Sequence, residues 1–186
     1  MHNLSPSTAL GGPDALVETI GNMTVSEVPF TALASVAARL GTEAKTKTIL
    51  GAYLGQDTPA VNKLVQADTV TCFWTGSDQW MIAAPMQTHE GIASDLEALL
   101  AGNASLTEQS GGWGQFDVSG PMLEDMFERL CALPIRSMRS GDANRTRIEQ
   151  IGCFVLHFGD RVSVFGPRAS AASLFHALIT AAKSIA

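Results

Sequence analysis

Residues 110–134, SGGWGQFDVSGPMLEDMFERLCALP, hold the pattern from which the fold is read: a glycine loop, a short strand, a tight corner and an amphipathic helix. Gly111, Gly112 and Gly114 leave the backbone free to adopt positive φ around Trp113. Gln115 to Ser119 alternates polar and apolar residues, the period of a half-buried strand. Gly120-Pro121 turns the corner, and Pro121 suits the first position of a helix, where its missing N–H costs nothing. Glu124 and Asp125 fall in the first turn, where negative charge favours the helix dipole. Met122, Leu123, Met126, Phe127 and Leu130 recur at helical spacing as one apolar stripe, and Pro134 marks the end.

Working outward, the same strand, Gly-Pro and helix succession returns near the C-terminus. Val70–Thr75 and Gln79–Ala84 flank Gly76-Ser77-Asp78, which predicts a hairpin. Ile151–His157 and Arg161–Phe165 predict a second around Phe158-Gly159-Asp160. Cys72 and Cys153 lie 153 − 72 = 81 positions apart, and Pro85 and Pro167 lie 167 − 85 = 82 apart. A helix is expected after each hairpin: Thr88–Leu100 with Ile92, Leu96, Leu99 and Leu100 inward, and a last one carrying Leu174, Phe175, Leu178 and Ile179. Pro29–Leu40 is read as a helix answering Pro121–Leu130, since both end in Arg-Leu. Met23–Val28 is a short strand, Ala44–Leu50 a helical turn before an extended Ala52-Tyr53-Leu54, and Arg136–Arg147 a polar connector. The expected fold is therefore α+β: a pseudo-duplicated mixed or antiparallel sheet, shared by both halves, with helices packed outside it. Residues 1–23 are expected to be a flexible arm, in which Ala15-Leu16-Val17 and Ile20 are available to a partner. Residues 24–186 form the domain, with halves of about 24–105 and 106–186.

Composition limits the function. The chain has 186 residues, 46% hydrophobic and only 16% charged, enough for a large core and for apolar surface covered by something else. A net charge of −6 without a basic stripe argues against nucleic acid and anionic membranes. The N-terminus does not read as a signal peptide, and no apolar run approaches the roughly 20 residues of a bilayer span, so a cytoplasmic protein is expected. Cys72, Cys131 and Cys153 show no metal or disulfide spacing.

Residues for covalent or acid–base chemistry are sparse. His2, His89, His157 and His176 are expected at the surface or in structural roles, and Cys131 and Cys153 in the core. Gly111-Gly112-Trp113-Gly114 lacks the Lys-Ser/Thr of a phosphate loop and the spacing of a dinucleotide fingerprint. No catalytic, cofactor-binding or metal-ligating residue is assigned. Trp74, Trp80 and Trp113 all lie at or beside turns, as core residues or as interface anchors. Arg145 and Arg147 belong to a connector read as facing a partner. These five are the candidate partner-contact residues.

Several segments resemble the gamma subunit family of heterotetrameric sarcosine oxidase: Phe30–Gly41, Trp74-Thr75-Gly76-Ser77-Asp78-Gln79-Trp80, Gln109–Trp113, Ser119-Gly120-Pro121 with Arg129-Leu130-Cys131, and Gly166-Pro167-Arg168-Ala169-Ser170. The resemblance covers about residues 28 to 184. That family is related in fold to the folate-binding aminomethyltransferase domain of the glycine-cleavage T-protein, which accounts for a pseudo-duplication. The resemblance implies a non-catalytic subunit with no cofactor of its own, packed mainly on the folate-binding part of alpha. FAD, FMN, NAD and tetrahydrofolate are then expected in alpha and beta, and zinc in delta. The assembly would demethylate sarcosine to glycine, passing the one-carbon unit to tetrahydrofolate and electrons to oxygen. A stand-alone folate-binding aminomethyltransferase-like protein is the alternative. Where the T-protein carries an acidic Asp pair, this chain has Arg147-Ile148-Glu149-Gln150-Ile151, which argues against folate chemistry here. The Lys-Gly-Cys-Tyr motif of the tRNA-modifying relatives does not occur.

Overall fold

The computed structural model describes residues 5–186; His2 lies outside them. In chain order the elements are strands β1 (Val17–Ile20), β2 (Met23–Val28) and β3 (Thr31–Ala38), then helix α1 (Glu43–Leu54). Strands β4 (Leu64–Ala67), β5 (Val70–Gly76) and β6 (Gln79–Pro85) follow, with helices α2 (Met86–His89) and α3 (Ile92–Leu100). Next come β7 (Ala104–Glu108), β8 (Trp113–Ser119) and α4 (Leu123–Leu130). The chain continues as β9 (Ala143–Ile148), β10 (Ile151–His157), β11 (Arg161–Pro167) and α5 (Ala171–Lys183).

The fold class is α+β, with every strand pairing antiparallel, but the strands form two sheets rather than one shared sheet. Their orders are β1-β2-β8-β11-β10-β9 and β4-β5-β6-β3-β7. Contacts divide the chain into one unit from residues up to Pro29 together with Gly112–Ala186, and another from Phe30–Gly111. The expected halves 24–105 and 106–186 thus give way to a division in which the N-terminal strands join the C-terminal unit. The reason is register: Thr24 to Val28 pair with Ser119 to Gln115.

The repeat is visible in the pairing. Pro85 closes β6 opposite Thr31, and Pro167 closes β11 opposite Trp113, so Thr31 and Trp113 are 113 − 31 = 82 positions apart. Strand β3 therefore answers β8, and the helix expected over Pro29–Leu40 is a strand. Its Ala-rich sequence has helical propensity, but pairing on both edges, with β6 and β7, overrides it. Ala32, Ala34 and Val36 face the helices at strand spacing, and Leu40, past the end of the strand, is 98% exposed. Helix α1 answers α4, and it extends through Ala52-Tyr53-Leu54, expected as extended chain, to a left-handed Gly55.

Other boundaries shift for local reasons. The Thr88–Leu100 helix breaks at Glu90-Gly91 into α2 and α3, and Leu99 is exposed while Ile92, Leu96 and Leu100 are buried. The connector over Arg136–Arg147 ends in strand β9, which holds Arg145 and Arg147. In the opening stretch, Gly111, Gly112 and Gly114 do not adopt positive φ; Gly120 does, at 137°. Pro121 precedes the helix instead of occupying its first position, Met122 is 39% exposed, and the helix ends at Leu130, before Pro134. Leu123, Met126 and Phe127 are buried as the stripe requires, and each such side chain contributes roughly 1.5–3 kcal/mol by leaving water. In the C-terminal unit, α4 and α5 cover Phe116, Val118, Val155, Val162 and Val164. In the other, Leu50 and Leu54 of α1 and the inner face of α3 join Cys72, Trp80 and Ile82 in one core. Within the expected arm, Leu10 N–H donates to Glu27 Oε1 (2.9 Å), Leu16 N–H donates to Glu27 Oε2 (3.2 Å), and β1 pairs with β2. Residues 8–20 are thus held by the buried Glu27 carboxylate and a strand ladder, not left as an unstructured arm.

Candidate partner-contact surface

Strand alternation decides where the candidates point. Along β8, Gly114, Phe116 and Val118 lie toward α4 and α5, which turns Trp113, Gln115, Asp117 and Ser119 to the opposite face. Phe154 of β10 is on that face too, paired with Arg145 of β9. The Trp113 and Phe154 ring centroids are 5.5 Å apart at an interplanar angle of 46°. The Arg145 guanidinium carbon lies 5.8 Å from the ring centroid of Phe154, which is itself buried, a cation–π contact between an exposed cation and a mostly covered ring. Arg147, two residues along β9, is exposed on the same side. Three candidates, Trp113, Arg145 and Arg147, therefore share one face of one unit.

The other two belong to the Phe30–Gly111 unit. Trp80 is only 2% exposed, so the reading of Trp80 as a partner contact is corrected: it is a core residue. Its indole Nε1–H donates to Pro59 O at 3.2 Å, which satisfies the one polar atom a buried tryptophan carries. Lys47 Nζ is 6.0 Å from its ring centroid and 2.6 Å from Asp78 Oδ1. That lysine holds the Asp78 carboxyl below its ordinary range, chiefly by hydrogen bonding. Trp74 is half-buried and lies opposite Trp80 in register, with a bulge between Trp74 and Gly76.

A polar cluster beside Trp113 was not singled out from sequence. Asp117 Oδ1 accepts from Ser163 Oγ–H at 2.5 Å and from Gln115 Nε2–H at 3.4 Å, while Arg161 Nε–H donates to Asp117 Oδ2 at 3.1 Å. Arg161 also lies 4.6 Å from the Phe158 ring centroid. The alternation of Gln115, Asp117 and Ser119 was legible; the β8·β11 register that brings Arg161 and Ser163 alongside was not.

The described histidines, Arg136 and the cysteines lie outside this cluster. His157 Nδ1 accepts the Gly159 N–H at 3.0 Å within its own hairpin turn. His89 Nδ1 lies 2.8 Å from Thr88 Oγ1, and His176 is exposed on α5. Arg136 bridges Glu124, Asp125 and Glu128 on the outer face of α4, and hydrogen bonding to the Glu128 and Asp125 carboxylates raises its pKa. Burial pushes the Cys72 and Cys131 thiols up and takes Cys153 to about 11, so all three are protonated thiols near neutrality. Among the described residues, no group of three or more His, Cys, Asp or Glu is placed to hold a metal ion, and no helix is long and apolar enough to cross a membrane. The geometry supplies a cation–aromatic cluster of half-buried Trp113, buried Phe154 and exposed Arg145, with an adjoining carboxylate–guanidinium network.

One solved structure similar to this chain is heterotetrameric sarcosine oxidase from Corynebacterium sp. U-96 in complex with pyrrole 2-carboxylate. The TM-score is 0.78 at 20% sequence identity, covering 90% of this chain and 87% of that one. The likeness is one of fold. The glycine cleavage system aminomethyltransferase T from Bartonella henselae also matches, with a TM-score of 0.62 at 13% identity over 87% of this chain. Here the present chain spans 46% of the length of its counterpart. No family model matches the sequence, and no curated protein matches it.

Proposed function

We propose that this chain is the gamma-type, non-catalytic subunit of a sarcosine oxidase assembly. In this role it supports oxidative demethylation of sarcosine to glycine, with tetrahydrofolate as one-carbon acceptor, and packs mainly on the folate-binding part of alpha, with beta and delta completing the complex. The observation that carries this reading is mutual coverage: the match spans 90% of this chain and 87% of a chain of the heterotetrameric oxidase. A protein of this length is thus accommodated nearly end to end, whereas the aminomethyltransferase is about twice as long. FAD, FMN, NAD, tetrahydrofolate and zinc would belong to the partner subunits. The test is to purify the tagged chain from its native host and identify what accompanies it. Stoichiometric flavin-containing subunits that oxidise sarcosine are expected; a chain that elutes alone at all concentrations overturns the proposal.

The aminomethyltransferase match supports a second reading, a stand-alone folate-binding protein. Calorimetric titration of the isolated chain with tetrahydrofolate separates the two. Micromolar binding favours the second, and no heat of binding favours the subunit.

A further inference from the structure

The outer edge of β1 is unlike the opposite edge of the same sheet. At β9 that sheet ends in a strand bearing exposed Arg145 and Arg147, the kind of charge that blunts an edge against pairing. At β1 it ends in Val17-Glu18-Thr19-Ile20, with neither Lys nor Pro, and with Leu16 43% and Val17 56% exposed. Glu27 N–H donates to Leu16 O at 2.8 Å, and Glu18 pairs with Val25. By antiparallel alternation, Glu18 and Ile20 then bond to β2, while Val17 and Thr19 turn their N–H and C=O outward. Beside this edge runs a groove of about 330 Å3 between β1 and α5, floored by Leu10, Leu16, Phe175 and Ile179 with Glu18 on its rim. Glu18 is exposed, and among the described residues it has no ion-pair partner.

We propose that this edge and groove form a strand-docking site for an extended segment of a partner that presents a Lys or Arg between two apolar residues on one face. The backbone of the incoming strand pairs with Val17 and Thr19. Its cation sits opposite Glu18, and its flanking apolar side chains enter the groove. The occupant is a partner of opposite charge rather than a second copy. A two-fold pairing that uses both Val17 and Thr19 would set two Glu18 carboxylates directly opposite each other. The net charge of −6 also favours a basic occupant. That the segment belongs to a partner subunit rests on the role proposed above.

The probe is fluorescein-labelled Ser-Leu-Thr-Lys-Thr-Val-Ser-amide, titrated into the full chain by anisotropy, with its Lys-to-Glu counterpart alongside. Saturable binding is expected, roughly five- to tenfold tighter for the Lys peptide. The Glu18→Lys variant, altered at an exposed position and checked for an unchanged unfolding midpoint, should reverse that preference. Peptide binding should also slow hydrogen exchange at the Val17 and Thr19 amides. Absence of saturation up to roughly millimolar peptide, or a preference that Glu18→Lys leaves unchanged, overturns the site. So does concentration-dependent dimerisation of the free chain that Thr19→Pro abolishes. If the partner subunits co-purify but neither peptide binds, the docking site alone is rejected. If the peptide binds as stated and no subunit co-purifies, the assembly alone is rejected.

Discussion

Gly120 combines a φ of 137° with contact on the side where a side chain would stand: a Cβ there would lie 2.5 Å from the Asn22 carbonyl oxygen and 2.6 Å from Met23 Sδ. Gly120→Ala should therefore cost about 2 kcal/mol or more, read as a lowered denaturation midpoint. Gly166 is glycine for a different reason, since a Cβ would meet Leu174 Cδ2 at 2.5 Å, where α5 lies on β11. Glu27, 3% exposed, anchors the N-terminal segment through two backbone N–H groups. Glu27→Ala leaves both donors without that acceptor, and a loss of about 1–3 kcal/mol is expected in the same titration. Cys153 links stability to pH. Burial raises its folded-state pKa from 9.0 to about 11, so the folded chain holds the thiol proton more tightly than the unfolded chain does. The resulting stability is fully present below about pH 9 and is lost as pH rises toward about 11. The unfolding midpoint should fall across that window, and Cys153→Ala should flatten part of the decline.

Helix α4 offers a direct test of which face is inward. Phe127 is fully buried, while Glu128, its neighbour, forms an exposed ion pair with Arg136 at 2.7 Å. Phe127→Ala should cost roughly 3–5 kcal/mol through lost transfer energy and the cavity left behind. Glu128→Ala should cost about 0.5 kcal/mol or less, because an exposed ion pair is screened and Arg136 keeps Glu124 and Asp125. Equal losses in a denaturant titration would overturn this assignment of faces. The short turn between β9 and β10 shows the converse, a position where local geometry and residue type disagree. Glu149 and Gln150 adopt φ of 52° and 88° between the paired Ile148 and Ile151, a turn geometry that favours Asn-Gly.

At the scale of the whole molecule, the low charge content and the face bearing Trp113, Arg145 and Arg147 bear on assembly. An obligate subunit interface buries more than the ~1,200–2,000 Å2 of a standard complex. We propose Trp113 as one anchor of such an interface. Trp113→Ala should weaken association with the partner subunits by ~2 kcal/mol or more while the isolated chain keeps most of its stability. A variant that unfolds alone, while its surviving fraction assembles normally, would assign Trp113 to packing against Phe154 instead. Purified by itself, the chain should be colourless; a flavin spectrum that persists through gel filtration would contradict the proposed division of cofactors among subunits.

Local chemistry determined what the sequence could announce unaided. Both Gly-centred hairpins, the stripe of Leu123, Met126 and Phe127, and the 82-residue recurrence of Pro85 and Pro167 were legible, because turns and amphipathic periods are properties of neighbouring residues. Pairing between distant segments was not. Thr31–Ala38 has a helical composition and becomes a strand because β6 and β7 satisfy its backbone on both sides. Trp80 stands beside a turn like an interface anchor, yet the α1 and α3 core encloses it and Pro59 takes its indole proton. Arg145 and Phe154 stand nine residues apart along the chain, and only the β9·β10 register sets one over the other. The N-terminal strands join β8 and not the half they precede, because backbone ladders are settled by which open edge is within reach once the chain has folded, a quantity that no local window of sequence contains.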